Sequence, residues 1–316
     1  MLSSEGEALM AQLVDLKVGF SCNNHCIHCV ISDKTGEKDL SLDEIKAIVN
    51  EYIERYGQIQ LTLTGGEVTL RKDFIELMSF IKSKKESGEI TFVDVQTNAR
   101  MLSHDDREKA AASVIDFYLI ALHCDLAEIH DSITMVKGSF EQTTTAIRKI
   151  ASDVGPDKIA IQTVINRKNY QRLKKIYQFA HEEFGLYEFN ITFPHPIGLC
   201  YSKEIVPTYK EVQPYVNEAL SYCLENGIKP YIEALPFCVF YPELRQYAFD
   251  FLERRCIDVV GYAGEKDGDI DYQALFASGH NKYESCASCQ YNSKCEGVWK
   301  EHYTLYPDEN MLQLMK

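Results

Sequence analysis

No stretch of this sequence approaches the roughly 18 consecutive apolar residues that a membrane-spanning helix needs. The first twelve residues carry Glu5 and Glu7 and have neither a basic start nor an apolar run, which argues against a secretory signal. Positive charge is in deficit: 33 Lys and Arg face 47 Asp and Glu, a formal charge of −14, which argues against a broad phosphate-binding surface. There is one Trp, and the 19 Tyr are not interleaved with basic residues as a nucleic-acid platform requires. Low-complexity tracts and solenoid repeats are missing too. What remains is ordinary globular composition, 45% hydrophobic and 25% charged over 316 residues, enough for one large domain with a modest extension. The expectation is an acidic cytoplasmic protein with no nucleic-acid or membrane partner.

Cysteine is the exception. Eleven is an odd number, so complete pairing into intramolecular disulfides is impossible. In a reducing compartment such thiols point to metal binding or catalysis. Six of them form two tight clusters, at 22, 26 and 29 and at 286, 289 and 295; the other five, at 124, 200, 223, 238 and 256, stand singly.

Hydrophobic alternation predicts strands over residues 14–20, 58–64, 90–96, 114–122, 159–165 and 188–193. Helical spacing predicts helices over 40–54, 74–85, 105–112, 140–151 and 170–184, the first opened by Ser41 and Glu44 as a capping box. Six strand–helix units imply parallel crossovers but fall short of the eight that close a TIM barrel. The fold class is therefore α/β, a partial (β/α)6 TIM-like barrel or an open α/β sheet, over residues 1–205. A further helix is expected at 209–225 and a strand at 229–233. Beyond Leu235 the sequence turns irregular, which suits a small loop-rich module over 206–316 that needs a staple.

Directly after the first strand, Cys22-x3-Cys26-x2-Cys29 offers three thiolates, which can hold three irons of a [4Fe–4S] cluster and leave the fourth open. Zinc is the rival, with His25 or His28 completing a set of three cysteines and one histidine. Gly65-Gly66-Glu67 ends the second strand: two glycines admit a close backbone approach, and a carboxylate beside them can receive an ammonium group. Both loops belong at the C-terminal ends of parallel strands, where α/β folds build their sites.

This combination resembles the radical S-adenosylmethionine (radical SAM) superfamily. The resemblance continues through Gln96-Thr97-Asn98, with Ala99 where relatives carry Gly, through His130-Asp131 and Gly138-Ser139-Phe140, and through Val164-Ile165-Asn166 with Asn169. It implies that Cys22, Cys26 and Cys29 ligate a [4Fe–4S] cluster whose open iron binds SAM. One electron, from a reductant such as flavodoxin or ferredoxin, then cleaves SAM to a 5′-deoxyadenosyl radical that abstracts a substrate hydrogen. Gly65, Gly66 and Glu67 would hold the methionine ammonium, with Thr97, Asn98 and Asn166 as further cofactor contacts. His28 occupies a position that is usually a carbocyclic aromatic. Ala121 stands where many relatives have a serine, and His123, two residues on, is the candidate for the ribose contact.

Cys286-x2-Cys289-x5-Cys295 is a second metal pattern. It resembles the cysteine segment of SPASM and twitch modules, shortened because Trp299 stands where a further cysteine is expected. The resemblance implies one auxiliary [4Fe–4S] cluster with its fourth ligand upstream: Cys238, after Leu235-Pro236-Phe237, with Cys256 as competitor. A structural zinc held by four cysteines is the alternative. Among the single cysteines, Cys124 beside His123 is the candidate hydrogen-atom donor; Cys200 and Cys223 read as buried thiols. His195, between two prolines at the end of the sixth strand, either reaches the cleft or sits in a turn.

Relatives with such a tail most often modify ribosomally made peptides, by epimerisation, crosslinking or other maturation. The short segment before Cys22 leads to the expectation of an enzyme without an N-terminal peptide-recognition domain. The competing expectations are an epimerase or dehydrogenase on a small molecule such as an aminoglycoside, sugar or cofactor precursor. From other classes come an iron–sulfur electron-transfer protein and a zinc-stabilised binding protein.

Overall fold

Strand and helix alternate as the hydrophobic pattern predicts, and in the computed structural model the strands join into one curled parallel sheet. The structure describes residues 11–34, 36–245, 259–262 and 279–315. In chain order the barrel comprises β1 (Gln12–Lys17), α1 (Leu42–Tyr56), β2 (Ile59–Thr64), α2 (Phe74–Glu86), β3 (Ile90–Thr97), α3 (Asp105–Ala112) and β4 (Phe117–Ala121). It continues with α4 (Ala127–Thr134), α5 (Ser139–Val154), β5 (Ile159–Val164), α6 (Leu173–Phe184), β6 (Glu188–Thr192), α7 (Tyr209–Glu225) and β7 (Lys229–Glu233). Ser41 and Glu44 do form the capping box of α1.

Two strands join the first six in this sheet. The strand expected at 229–233 is β7, and it pairs with β6, so the sheet continues past residue 205; β8 (Val259–Tyr262) pairs with β1 at the opposite edge. A four-residue strand in an irregular tail has too little periodicity to announce itself; its pairing makes it a strand. α4 is likewise unannounced. It is eight residues long with no side-chain N-cap, and it packs against α5. Among the described residues β7 and β8 do not pair, so the sheet is a partial barrel.

One face of each strand is apolar and covered by helices. Val14, Leu16, Leu61, Leu63, Val93 and Val95 alternate into a core shared with Ile45 and Val49 of α1 and Phe74 and Leu77 of α2. The opposite, concave face is mixed: polar side chains predominate on its two flanks, and Phe117, Leu119 and Ala121 of β4 lie between them. Asp15, Thr62 and Asp94 lie side by side across β1 to β3, and Gln162, Asn190 and Tyr231 across β5 to β7. They are tied by Thr62 Oγ1 to Asp94 (2.6 Å), Thr64 Oγ1 to Asp15 (2.9 Å) and Thr192 Oγ1 to Glu233 (3.1 Å). A closed (β/α)8 barrel fills this space with branched apolar side chains; a polar lining suits a hydrated or ligand-filled cavity.

The tail forms β9 (His280–Asn281) and β10 (Val298–Trp299), an antiparallel pair, followed by α8 (Lys300–Leu305).

Candidate functional site

The loop after β1 is set by its backbone before any ligand is considered. Asp39 Oδ1 accepts from the N–H groups of Phe20 (2.6 Å) and Ser21 (3.0 Å). Farther along, His25 N–H donates to Thr134 O (2.9 Å) and Ile27 N–H to Ile133 O (3.0 Å). These are carbonyls of the last turn of α4, which have no partner inside their own helix. α4 thus clamps the middle of the cysteine loop.

On the other side lies the glycine pair. Gly66 N–H donates to Gly19 O and Glu67 N–H to Ser21 O, both at 2.8 Å. A Cβ on Gly66 would sit 2.2 Å from Ser21 O, and one on Gly65 would sit 2.6 Å from Gly19 O. The glycines are needed because two backbones touch there.

Glu67 is buried, and its carboxylate is fully engaged. Oε1 accepts from Thr69 N–H (3.0 Å), Thr69 Oγ1 (2.5 Å) and Thr97 Oγ1 (2.6 Å); Oε2 accepts from Asn98 N–H (2.7 Å). It braces the ends of β2 and β3. Glu67→Gln puts an NH2 against donors and should destabilise the metal-free chain by about 1–3 kcal/mol. Urea unfolding checks this; an unchanged midpoint would mean that the brace contributes nothing.

Asn98 Nδ2 donates to Asn23 Oδ1 (2.8 Å) and lies 3.8 Å from Cys22 Sγ, which also accepts from Asn24 N–H (3.4 Å). Ala99, in the place of the expected glycine, has φ 58°, the left-handed conformation glycine adopts freely. Arg100, which sequence reasoning passed over, donates to Asn23 O and Asn24 Oδ1 (2.8 Å) and, through Nε, to Gln142 of α5 (2.7 Å). Its only signal in the sequence is its place directly after the Thr97-Asn98-Ala99 segment.

Cys22, Cys26 and Cys29 are half-buried and close enough for their charges to interact. Burial pushes the Cys22 thiol up to about 11, against the pull of the Asn24 N–H, and raises those of Cys26 and Cys29. A metal centre that binds thiolates compensates for that burial. The converging sulfurs, the polar N–H groups aimed at Cys22 and the glycine seat fit a cluster with three protein ligands.

The other expected residues fall into place unevenly. His28 and His123 are buried and meet beside Cys26, whereas His25 is exposed. Cys124 is buried, its Sγ donating to Asp125 Oδ1 (3.4 Å). Cys200 and Cys223 are buried thiols. Asn166 spends its side chain within its own turn, donating to Val164 O (3.1 Å) and accepting from Lys168 N–H (3.0 Å). His195 stacks on Trp299 with ring centres 4.0 Å apart and contacts Glu301 Oε2 at 3.1 Å, which ties the end of β6 to the tail.

In the tail, Cys238, Cys286, Cys289 and Cys295 line one cavity. Burial and then the three neighbouring thiols raise Cys238 strongly. Its turn is anchored by two amides one helical turn apart on α7. Gln213 Nε2 donates to Cys238 O (3.1 Å) and Leu314 O (2.8 Å), and Asn217 Nδ2 donates to Val239 O (2.8 Å). These anchors too were missed, since a polar pair at i and i+4 reads as a solvated helix face. Cys256 lies outside the described residues. Four sulfurs around one cavity fit a cluster or a zinc ion.

Comparison with known proteins agrees with this geometry. The model of the radical SAM superfamily matches residues 16–180, just over half of the chain. A "Probable GTP 3′,8-cyclase" of Saccharolobus solfataricus is 29% identical over 189 residues, 59% of this chain and 59% of that protein. The chain therefore spans less than two thirds of the length of that curated relative. Among solved structures, Streptococcus suis SuiB bound to precursor peptide SuiA superposes with a TM-score of 0.63 at 12% identity, covering 94% of this chain and 73% of SuiB. The anSMEcpe enzyme with bound AdoMet and Cp18Cys peptide gives a TM-score of 0.66 at 16% identity, with 96% and 94% covered.

Proposed function

This chain belongs to the radical SAM superfamily, and we propose that it is an enzyme that abstracts a hydrogen atom from an unactivated carbon of a peptide. Membership implies a [4Fe–4S] cluster and SAM. Together, when bound and reduced by one electron, they supply a 5′-deoxyadenosyl radical. The roles of the residues follow from the geometry. Cys22, Cys26 and Cys29 would hold the cluster. The Gly65–Glu67 loop would seat SAM against it through backbone groups, with the Glu67 carboxylate retained as the brace of that loop. Thr97, Asn98 and Arg100 would keep the cysteine loop in register. We further propose one auxiliary cluster, held by Cys238, Cys286, Cys289 and Cys295 in a C-terminal module.

The observation that carries the peptide reading is the concave sheet face. It presents Asp15, Asp94, Glu188 and Glu233 against Lys17 and Lys229, with threonine, glutamine and asparagine side chains among them and Phe117, Leu119 and Ala121 of β4 across its middle. Such a surface repels a nucleoside triphosphate and offers hydrogen bonds to amides and cations. Two solved structures that share the fold hold peptides, the precursor peptide SuiA and the Cp18Cys peptide. An amine-bearing small molecule suits the same acidic face and is the second reading.

The test is 5′-deoxyadenosine release by the anaerobically reconstituted protein with SAM and dithionite. It is run with peptides encoded beside its gene, with kanamycin and with GTP. The peptide reading expects stimulation by a peptide, with deuterium from Cα- or Cβ-labelled positions carried into 5′-deoxyadenosine. Stimulation and label transfer with kanamycin or GTP alone would sink it.

A further inference from the structure

Three imidazoles from three separate segments meet under the cysteine loop. His28 lies on the loop itself, His123 just past β4, and His130 on α4. The His28 and His123 rings meet edge to face at 4.5 Å, and His123 and His130 stack at 5.8 Å with 23° between their planes. Their exposures are 8%, 3% and 1%. Buried rings of this kind ordinarily have both nitrogens satisfied. Here Nδ1 of His28, Nδ1 of His123 and Nε2 of His130 have no hydrogen-bond partner among the described residues. Leaving buried polar atoms unsatisfied is costly, so orphaned nitrogens grouped in this way indicate a missing partner. Cys26 is beside them: one ligand-capable atom from each of Cys26, His28 and His123 lies within 4.8 Å of the others.

We propose that His28 and His123 form a buried imidazole shelf that donates hydrogen bonds to the sulfur side of the first cluster at Cys26 and thereby raises its reduction potential. This rests on the reading of Cys22, Cys26 and Cys29 as cluster ligands. Hydrogen bonds to cluster sulfurs stabilise the added electron and are among the protein's levers on potential. An imidazole carries at least one N–H in either protonation state, so each ring has a proton to donate.

The support behind the shelf is specific. His130 Nδ1 lies 3.1 Å from Ser139 Oγ, whose own proton goes to Asp131 Oδ1 at 2.9 Å, so His130 Nδ1 is assigned as the donor. That fixes the ring on which His123 stacks. The backbone of His123 is held by Asn169 Nδ2 donating to its carbonyl (3.0 Å), and Leu122 O accepts from Thr163 Oγ1 (2.7 Å). His28 and His123 are therefore positioning residues for the cluster, and neither needs to touch substrate.

The test is an EPR-monitored redox titration of the reconstituted full chain, following the cluster whose signal changes when SAM is added. His123→Leu and His28→Phe should each move its midpoint to more negative potential with iron content unchanged. His123→Asn and His123→Gln place an amide N–H near Nδ1 and Nε2 respectively, and one of them should recover at least about half of the shift. Wild-type midpoints in both apolar variants at full iron content would overturn the proposal. So would loss of iron in His123→Leu that neither amide variant restores, because that pattern marks simple packing. If the wild-type protein itself shows no SAM-responsive cluster signal, the reading of the three cysteines fails and the shelf falls with it.

Discussion

Gly66→Ala is expected to strip the first cluster from the chain although no cysteine is touched. The new Cβ would stand 2.2 Å from Ser21 O and 2.5 Å from Phe20 O, both backbone atoms of the cysteine loop. Carbon and oxygen settle at about 3.3 Å or more, so the two loops must part by roughly 1 Å. Neither neighbour can yield alone, because Ser21 is held by Asp39 and His25 and Ile27 are held by α4. Parting also breaks the bonds from Gly66 N–H and Glu67 N–H that join the loops. The expected result is a fall from about eight irons per chain to about four. 5′-deoxyadenosine formation should drop at least ~100-fold, the scale of a 1 Å misplacement at a reacting centre. Gly36→Ala, where an added Cβ meets nothing within 4 Å, is the control and should behave as wild type. Wild-type iron and cleavage in Gly66→Ala would show that the loops are not coupled in this way.

The contrast between the cysteines and their supports explains what sequence can show. Cys22, Cys26 and Cys29 fall within eight residues, and the chemistry that needs them needs that spacing, so the pattern is local and readable. The alternating strands were readable for the same reason, since burial on one face imposes a period of two. The clamp by α4, the His28–His123 contact and the Gln213 anchor join segments between about 25 and 110 residues apart, and no local period encodes them. Glu67 shows a subtler limit. Its type and place were legible, but its role was not, because only the fold reveals that four donors already surround its carboxylate. Cys124 shows the reverse: its place at the end of a strand is local and readable, whereas its burial emerges only in the fold.

The two proposed metal sites should come apart under mutation, and Cys238→Ala is the variant that separates them. Cys238 is 8% exposed and lines a cavity with Cys286, Cys289 and Cys295. The turn that presents it is tied to α7 through backbone carbonyls, so removing the sulfur leaves the Gln213 and Asn217 hydrogen bonds in place. The barrel should therefore fold, and the loss should be confined to the tail. The expected result is about four irons per chain in place of about eight, with SAM still cleaved to 5′-deoxyadenosine in the absence of substrate. Substrate turnover should fall to background, because the tail packs against the barrel through His195, Trp299 and Glu301 at the end of β6, where a substrate leaving the concave face would meet it. Cys256→Ala should keep all eight. If instead Cys256→Ala loses the iron and Cys238→Ala keeps it, the fourth ligand has been assigned to the wrong cysteine. If one zinc and about four irons are found in the wild-type chain, the tail is a zinc staple with four cysteine ligands. The acidic concave face would then have to bind and orient its substrate without a second redox centre.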